Sequence, residues 1–503
     1  MEAKPLRKRP PFRRKTWSDL ANTSSDVVPA LGVPPEATFH DRPFAMTDTI
    51  VALATPSGEG GIAIVRLSGT RAISIADSLF RAPRRLAGAP THTLLYGRLA
   101  LTDRAESPDS VVSDEVLVSV MRAPRSYTRE DVVEINCHGG IRLADEVLRA
   151  CVRLGARRAE RGEFTERAFL NGRLDLAQAE AVLDLVKART KDALSAAYYE
   201  LSGNLSARIS ALRTRLTESL ARIEMGLEFD EEDLGVGDPR AESATLREAI
   251  SEIGALVGTY ARGRLITEGA SVAIIGPPNV GKSSLLNAIL GEDRAIVSHI
   301  PGTTRDLVEG EADLDGVRVR FVDTAGLRET GDAVEREGTK RAGRAASAAD
   351  VVLLVCDGSG EIPWDLTPIS GRKAIIVVNK MDKARSDVLS ALNASAGTTS
   401  VYRVSALSGE GVDTLCHGIR ETLCADAPEP KTGGVITRAR HADALSATET
   451  HLERALEEAT GQARSELVAA DIRLALDALG SITGETTPED IIRRIFSEFC
   501  IGK

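Results

Sequence analysis

With 503 residues, the chain is too long for one ordinary hydrophobic core, so we expect about two to four domains. Its 43% hydrophobic and 27% charged residues are typical of a globular protein, and no apolar run reaches the ~18–20 residues of a membrane span. The net charge of −10 and the aromatic content of 4% argue against broad nucleic-acid coating and against a base-stacking sheet. A local basic patch remains compatible with both values.

The first 45 residues differ from the rest of the chain. They combine basic residues with prolines and lack helical or strand periodicity, so we predict a disordered basic extension over residues 1–45. A mitochondrial transit segment is one alternative, because Ser and Thr follow the basic start. A translation start placed too early is another, since a strand-like run directly follows Met46.

The six cysteines are scattered and form no CxxC pair, which predicts neither a zinc site nor a disulfide framework. A reducing compartment fits this pattern best. We therefore expect a cytoplasmic protein without membrane association, or a mitochondrial one if residues 1–45 are a transit segment.

The chain begins with a mixed β/α region and continues into helices. Short apolar runs and Gly- or Ser-rich turns up to about residue 165 predict the strands Ile50–Ala54, Gly61–Leu67, Glu115–Met121 and Asp131–Asn136. From Leu174 to about Phe229, Leu and Ala recur at helical spacing, and another helix is expected at about 242–262.

Short β-branched runs then alternate with helical stretches, which is typical of a parallel sheet built from βαβ units. The runs are VAIIG, VRFVDTAG, VVLLVCDG, AIIVVNK and VYRVSA. After prolines near residues 428–430, helices are expected at about 439–479 and 487–499, the latter with Thr487 as its N-cap.

The simplest fold class is a multidomain α/β plus α protein. We expect an N-terminal α/β domain over residues 46–165, a helical domain in two segments, 166–268 and 428–503, and an inserted domain with a mainly parallel sheet over 269–427.

A phosphate-binding motif follows the first β-branched run. Residues 276–283, GPPNVGKS, fit GxxxxGK[ST] between a strand and a helix. Glycines let backbone N–H groups surround phosphate oxygens, Lys282 reaches the β- and γ-phosphates, and Ser283 would bind Mg²⁺. Taken alone, the motif is also compatible with an ordinary Gly-rich strand–helix turn.

Further motifs follow in the order that a Ras-like P-loop GTPase domain requires. GTTRD supplies Thr304, which we assign to Mg²⁺ and the γ-phosphate. DTAG ends a strand and places Asp323 in the outer sphere of the metal, with the Gly326 N–H near the γ-phosphate.

NKMD also ends a strand. The Asp382 carboxylate can accept from guanine N1–H and the 2-amino group together, which selects GTP over ATP, and Ser405-Ala406 supplies a backbone N–H to guanine O6. The complete motif set predicts GTP binding by Asn279, Val280, Gly281, Lys282, Ser283, Ser284, Ser298, Ile300, Thr303, Thr304, Asp323, Thr324, Ala325, Gly326, Asn379, Lys380, Asp382, Ser405 and Ala406.

One position departs from signalling GTPases. Leu327 follows DTAG, where those proteins carry a Gln that orients the attacking water. Glu335 is our candidate for this task, with an ordinary exposed carboxylate as the alternative. No arginine finger within the chain is evident, so a monovalent cation could neutralise the developing charge through the Asn279 side chain and carbonyls of the Ser298–Thr303 loop.

Beyond the GTPase motifs, residues 48–503 resemble the TrmE/MnmE family of tRNA modification GTPases. The resemblance is carried by the GTPase motifs with GTTRD and DTAGLRET, and by DTIVALATPSGEGGIAIVRLSG (48–69), SYTREDVVEINCHGG (126–140), RGEFTERAFLNGRLDLAQAEA (161–181) and FCIGK (499–503).

The resemblance implies a potassium-stimulated GTPase that adds an aminomethyl-type group to C5 of the wobble uridine of certain tRNAs. It implies an N-terminal folate-binding and dimerisation domain, a homodimer, and a heterotetramer with a flavin-dependent partner of GidA/MnmG type that uses FAD and NADH. The carbon would come from 5-formyltetrahydrofolate or a related folate. Matched positions make Glu335 catalytic and Asn279 a K⁺ ligand, and Ser298, Ile300 and Thr303 complete the predicted K⁺ site from the loop named above.

The resemblance also implies folate contacts at Arg66, Glu134, Arg173 and Lys503. A carboxylate suits the pterin edge and cations suit the glutamate tail. Arg173 departs from relatives that carry Lys, which puts its geometry in doubt, and Arg66 could alternatively cap a strand edge. Cys500 is a hypothetical catalytic thiol, with a buried packing cysteine as the plain alternative.

Two other functions remain open. A ribosome-assembly or RNA-chaperone GTPase without substrate chemistry would share the nucleotide motifs, but not the folate-like N-terminal segments. A G-protein that signals through its helices is compatible with either. For tRNA contact there are two modest basic clusters, for which a solvated helix face is the alternative: Lys431, Arg438, Arg440 and His441, and Arg153, Arg157, Arg158 and Arg161.

Overall fold

The structure is a computed structural model of the chain. It describes residues 48–101, 113–228, 239–296, 308–323, 346–360, 371–385, 399–427, 434–461 and 464–503. The predicted extension over residues 1–45 lies outside these ranges. Among the helices of the described ranges, none combines the length and the apolar character that crossing a bilayer requires.

The N-terminal region contains a seven-stranded sheet with the order β3-β4-β5-β6-β2-β1-β7. Neighbouring strands are antiparallel, except that β1 pairs with β7 in parallel. The strands are β1 (Ile50–Leu53), β2 (Gly60–Ser68), β3 (Phe80–Arg81), β4 (Thr93–Ala100), β5 (Ser113–Met121), β6 (Val132–Gly139) and β7 (Arg157–Arg158).

The four predicted strands are confirmed, whereas the sequence did not predict β4. Its outward positions Leu94 and Tyr96 are themselves apolar, so the run lacks the apolar–polar alternation that predicts a half-buried strand.

The two faces of this sheet differ. One face packs its alternate residues, such as Val65 and Ile135, against α1 (Ala72–Leu79) and α2 (Ile141–Arg153). The opposite face carries Arg66 and Glu134 and exposes large apolar side chains, namely Ile62, Leu94, Tyr96 and Leu117.

Helices precede and follow the inserted domain in the chain, and several helices from each side share one hydrophobic core. The first group is α3 (Glu163–Leu170), α4 (Leu176–Lys187), α5 (Lys191–Leu201), α6 (Asn204–Glu228), α7 (Ser243–Val257) and α8 (Tyr260–Glu268). The second is α11 (Ala439–Thr460), α12 (Ser465–Thr483) and α13 (Glu489–Ser497). Leu212, Ile253, Leu452 and Ile472 meet in this core, which confirms a helical domain in two segments.

Three local predictions are wrong. The helix expected at 439–479 is two helices, because α11 ends at Gly461, and the helix expected at 242–262 breaks at Gly258 before α8. Thr487 does not cap α13. Pro488 is its N-cap, and the Thr487 hydroxyl donates instead to the Ser481 carbonyl at 2.8 Å.

The inserted domain contains a six-stranded sheet with the order β13-β12-β11-β8-β10-β9. It is parallel except for the edge strand β9, which pairs with β10 in an antiparallel hairpin, so the mainly parallel Ras-like sheet is confirmed. Its elements are β8 (Ala270–Ile275), α9 (Lys282–Arg294), β9 (Val308–Leu314), β10 (Val317–Asp323), β11 (Val351–Asp357), β12 (Ala374–Asn379), β13 (Ser400–Arg403) and α10 (Val412–Cys424).

Candidate functional site

The phosphate-binding loop joins β8 to α9. Gly276 and Gly281 have φ angles of +149° and +93°, and Asn279 adopts the left-handed region at +61°. A Cβ on Gly276 would lie 2.3 Å from the Val355 carbonyl oxygen, so only glycine fits there. The loop is therefore turned tightly against the carboxyl ends of the parallel strands, where nucleotides bind in this class of sheet.

Lys282 is the first residue of α9, and its side chain folds back over the loop. Its Nζ donates to the carbonyl oxygens of Gly276 at 3.0 Å and Pro277 at 2.9 Å. The residue is only 8% exposed. The ammonium thus lies at the centre of the loop on neutral acceptors, which anionic phosphate oxygens can replace.

Asn379, the last residue of β12, links the phosphate loop to the predicted base-binding loop. Its Nδ2 donates to the Val280 carbonyl at 2.9 Å, and its Oδ1 accepts from the Ala406 N–H at 3.0 Å. Both ends of the amide are used, which fixes the distance between the phosphate end and the guanine end of the site.

Lys380 reinforces this link. Its Nζ donates to the Asn279 carbonyl at 2.9 Å and forms an ion pair with Asp357 at 2.6 Å. Burial raises the pKa of Asp357, but hydrogen bonds from Lys380 and Ser359 outweigh it and leave the pKa below its usual range. The carboxylate therefore stays ionised and holds Lys380 against the loop.

Asp382 is the predicted guanine-selecting residue. It is exposed, and its Oδ1 accepts a hydrogen bond from the Ser405 hydroxyl at 2.8 Å. Because Ser405 is fully buried, the carboxylate is anchored on the protein side while remaining open to a base. This geometry suits acceptance from two neighbouring N–H groups of guanine.

The remaining predicted nucleotide residues lie partly inside and partly outside the described ranges. Asp323 is the last residue of β10, at the same end of the sheet as Gly276. Ser298, Ile300, Thr303, Thr304, Thr324, Ala325, Gly326 and Glu335 lie outside the described residues. The potassium ligands and the catalytic glutamate therefore stay predictions.

A second site lies on the exposed face of the N-terminal sheet. Arg66 of β2 and Glu134 of β6 are cross-strand neighbours, and Nε and Nη2 of Arg66 contact Oε1 of Glu134 at 2.8 and 2.7 Å. Nη1 of Arg66 donates to the Gly502 carbonyl at 3.1 Å. Arg66 lies inside a strand with neighbours on both sides, so the strand-edge alternative is wrong.

The C-terminal segment FCIGK is held against the N-terminal region by its backbone. The Lys503 carbonyl accepts from the Phe164 N–H at 3.2 Å, and the Phe499 carbonyl accepts from Nε of Arg161 at 2.9 Å. Gly502 has φ +92°, and a Cβ there would lie 2.4 Å from the Leu53 carbonyl oxygen. The segment therefore fits closely only with glycine at this position.

Two of the four predicted folate residues, Arg66 and Arg173, contact Tyr127. The Arg173 guanidinium lies 4.8 Å from the Tyr127 ring centroid and that of Arg66 lies 5.8 Å from it, while Lys503 directly follows Gly502. Tyr127 is absent from the predicted site, although it lies in the segment SYTREDVVEINCHGG. Cys500 is exposed, so the alternative of a buried cysteine is wrong.

The first basic cluster is not a solvated helix face. Arg438 pairs with Asp184 at 2.7 Å, Arg440 pairs with Glu180 at 2.6 Å, and His441 is fully buried. Lys431 lies outside the described residues. The three described residues thus belong to an internal ion-pair network and present no open cationic patch.

Glu180 is the centre of this network and is 2% exposed. It accepts from Nε2 of His441 at 2.9 Å and from Arg440. Burial raises the pKa of Glu180, but His441 and Arg440 outweigh it and lower the pKa to about 2. Arg440 also donates to the Ser481 and Ile482 carbonyls, which ties the end of α12 to α4.

The second basic cluster also contacts other parts of the chain, but it lies at the surface. Arg157 pairs with Glu163 at 2.5 Å and with Asp48 at 2.8 Å, and Arg161 holds the C-terminal segment. Arg153 donates to the Leu101 carbonyl at 2.9 Å, and Arg158 lies 3.6 Å from Asp145. These arginines join elements of the N-terminal region and remain exposed to solvent, although only Arg153 lies on a helix.

Comparisons with known proteins cover nearly the whole described chain. Residues 49–173 match the family model "GTP-binding protein TrmE N-terminus", and residues 176–500 match "MnmE helical domain". The chain is 48% identical over 472 residues to tRNA modification GTPase MnmE of Moorella thermoacetica, covering 91% of this chain and 100% of that protein.

The corresponding protein of Shouchella clausii is 41% identical over 460 residues, covering 91% of this chain and 99% of that one. The solved G domain of the T. maritima FeoB iron transporter is 26% identical and covers 32% of this chain and 99% of that chain. Its TM-score of 0.24 is too low to support an argument about fold. The family models and the long, full-length identities establish that the chain belongs to the TrmE/MnmE family of tRNA modification GTPases.

Proposed function

We propose that this GTPase of tRNA modification is stimulated by potassium and acts with a flavin-dependent partner. Together they would install a carboxymethylaminomethyl or aminomethyl group at C5 of the wobble uridine of certain tRNAs. The observation that carries the proposal is the presence, in one chain, of a guanine-nucleotide site organised by Asn379 and a second polar site organised by Arg66.

Hydrolysis follows from the residues around the phosphate loop. Lys282 exchanges its backbone carbonyl partners for the β- and γ-phosphate oxygens, and Asp382 selects guanine. Ser283, in the first turn of α9, and Thr304 would hold Mg²⁺, which supplies positive charge to the phosphates. Glu335 orients the attacking water.

Potassium would supply the charge that an arginine finger supplies elsewhere. Its proposed ligands are Asn279, Ser298, Ile300 and Thr303. The Asn279 residue supports this assignment, because Lys380 holds its carbonyl while its side chain is exposed in a left-handed loop position.

The second site suits a folate. Glu134 can accept from the pterin edge, and the carboxylates of the glutamate tail can pair with a cation from the set Arg66, Arg173 and Lys503. 5-formyltetrahydrofolate or a related folate would supply the carbon, and FAD and NADH on the partner would supply the redox chemistry. Exposed Cys500 adjoins this site and is the candidate thiol for the tRNA step. Full tRNA modification by Cys500→Ser would remove Cys500 from the mechanism without affecting the GTPase assignment.

A homodimer would cover the exposed face of the N-terminal sheet. Tyr96 is 63% exposed there and pairs across strands with Leu117, and Leu94 lies two residues from it on the same face. Ile62, 64% exposed, lies on the same face beyond β6. Exposed apolar surface of this kind marks an interaction site. In the proposed assembly, this dimer and two copies of the flavin-dependent partner form a heterotetramer that acts on tRNA.

The experiment that tests the mechanism is GTP hydrolysis in KCl against NaCl at matched ionic strength, for the unsubstituted protein and Glu335→Ala. We expect faster hydrolysis in KCl, and a loss of about 100-fold or more in the variant, because water orientation contributes strongly to phosphoryl transfer. Glu421→Ala removes an exposed carboxylate elsewhere in the same domain and should hydrolyse GTP normally. Equal rates in the two salts, or an active Glu335→Ala, would contradict the proposed catalysis.

A further inference from the structure

Tyr127 lies between the two arginines of the proposed folate site. Its ring centroid is 4.8 Å from the Arg173 guanidinium carbon and 5.8 Å from that of Arg66. Both distances fall within the range in which an aromatic face attracts a cation. The ring therefore attracts both guanidinium groups, which would otherwise repel each other.

The two arginines depend on Tyr127 to different degrees. Arg66 also contacts Glu134, the Gly502 carbonyl and the Phe164 ring, the last at 5.6 Å. In the described part of the chain, the side-chain contacts of Arg173 are both made to Tyr127: the ring contact and a hydrogen bond of 2.8 Å to the Tyr127 carbonyl. The exposed Arg173 guanidinium is therefore held by Tyr127 through a backbone carbonyl, which any residue at position 127 provides, and through the ring, which only an aromatic side chain provides.

Tyr127 is itself held in place. Its ring packs against the cluster of Ile50, Ala52 and Phe164, and its hydroxyl lies 2.9 Å from the Thr165 hydroxyl. Burial raises the pKa of Tyr127 and outweighs the opposing effects of Thr165, Arg173 and Arg66, so the phenol is neutral at physiological pH. A neutral, packed ring offers a rigid face for the flexible Arg173 side chain.

We infer that Tyr127 is a positioning residue, whose ring face holds the Arg173 guanidinium where it pairs with a carboxylate of the ligand tail. This inference rests on the proposed folate function of the site. It assigns the tail end of the ligand to Arg173 and Tyr127, and leaves the Arg66–Glu134 pair, with its other supports, for the remainder of the ligand.

The test is equilibrium binding of two probes, 5-formyltetrahydrofolate and the same compound without its glutamate, to full-length variants. Tyr127→Phe keeps the ring and loses only the hydroxyl, whereas Tyr127→Leu removes the ring. Phe80→Leu is the matched control, because it truncates a buried aromatic residue in the core of the same sheet, on the face packed against α1 and α2.

For Tyr127→Leu we expect the Kd of 5-formyltetrahydrofolate to rise about 10-fold, and the preference for the tail-bearing probe over the tail-less one to fall to about twofold or less. Tyr127→Phe should bind both probes within about twofold of the unsubstituted protein. Phe80→Leu should keep the preference even if its thermal stability falls, since a merely structural loss does not distinguish the two probes.

Unchanged tail preference in Tyr127→Leu, or equal loss in Tyr127→Phe and Tyr127→Leu, would overturn the positioning role while leaving the folate site in place. Absence of 5-formyltetrahydrofolate binding by the unsubstituted protein would overturn the folate proposal itself, and this inference with it.

Discussion

The nucleotide site and the second site, around Arg66, hold their cations in different ways. Lys282 lies on two carbonyl oxygens of its own loop, five and six residues earlier in the chain. Arg66 pairs with a carboxylate and also reaches the Gly502 carbonyl, 436 residues later. The described contacts of Lys282 include neutral, local acceptors, whereas those of Arg66 include an anion and the far end of the chain.

This difference determines what a ligand must displace. A phosphate competes with these two carbonyls for Lys282 and offers the ammonium an anionic acceptor in place of neutral ones. A ligand at Arg66 meets a guanidinium already paired with Glu134, so breaking that pair would leave a half-buried carboxylate to be matched. The second site is therefore expected to accept a ligand that satisfies cation and carboxylate together.

The largest effect is expected for Asp382→Asn, which tests the nucleotide site. The amide loses one acceptor position for guanine and gains a donor, so GTP turnover measured as kcat/KM should fall by at least about 100-fold. Xanthosine triphosphate, which offers a carbonyl in place of the 2-amino group, should become the better substrate. Asp413→Asn, at an exposed aspartate of the same domain paired with Arg294, should keep GTP preference. If Asp382→Asn kept the preference for GTP, the assignment of Asp382 as the guanine-selecting residue would be wrong.

A smaller effect, on stability, is expected for Glu180→Gln. This substitution tests the ion-pair network behind the second site. Arg440 joins Glu180 to the end of α12, from which α13 and FCIGK follow. Replacing the buried carboxylate leaves Arg440 and His441 without their anion, which should lower the free energy of unfolding by about 3 kcal/mol. Calorimetry would measure this, with the partly exposed pair of Glu224 and Arg473 as control, where Glu224→Gln should change the midpoint little.

The same substitution predicts a pH dependence. The pKa of Glu180 is about 2 in the folded protein against an ordinary 4.5, so the carboxylate stabilises the fold above pH 4.5 and this contribution is lost as the pH falls toward 2. The stability difference between the unsubstituted protein and Glu180→Gln should therefore shrink in that interval. A difference that stays constant with pH would show that the charge of Glu180 is not what stabilises the network.

The smallest effect is expected for Gly502→Ala. A Cβ in this left-handed position would collide with the Leu53 carbonyl, which should loosen FCIGK and speed hydrogen exchange at the Phe164 amide, whose acceptor is the Lys503 carbonyl. Gly371→Ala is the matched control, because its φ is +71° but nothing lies within 4 Å of the added Cβ. If hydrogen exchange over residues 160–170 were equal in Gly502→Ala and Gly371→Ala, the close packing of FCIGK would not contribute to the folding of the second site.

The nucleotide site could be predicted from sequence because its residues lie at the ends of strands in short, ordered motifs. The Glu180 network could not. Arg438 and Arg440 resemble a basic cluster in the sequence, since their carboxylate partners lie more than 250 residues earlier. Tyr127 could not be predicted for a related reason. A tyrosine in a loop has no periodic pattern, and its proposed role depends on two arginines that only the fold brings close to it.

The hydrogen bond between Arg66 and Gly502 also sets an order of events during biosynthesis. The N-terminal sheet can pair Arg66 with Glu134 soon after residue 139 has emerged, because all its strands but β7 are then available. The Gly502 carbonyl is made only after the inserted nucleotide domain and both halves of the helical bundle. Contacts of such high sequence separation form late in folding. A nascent chain can therefore bind nucleotide before its second site exists, and completion of that site requires that the last residues of the chain have been made.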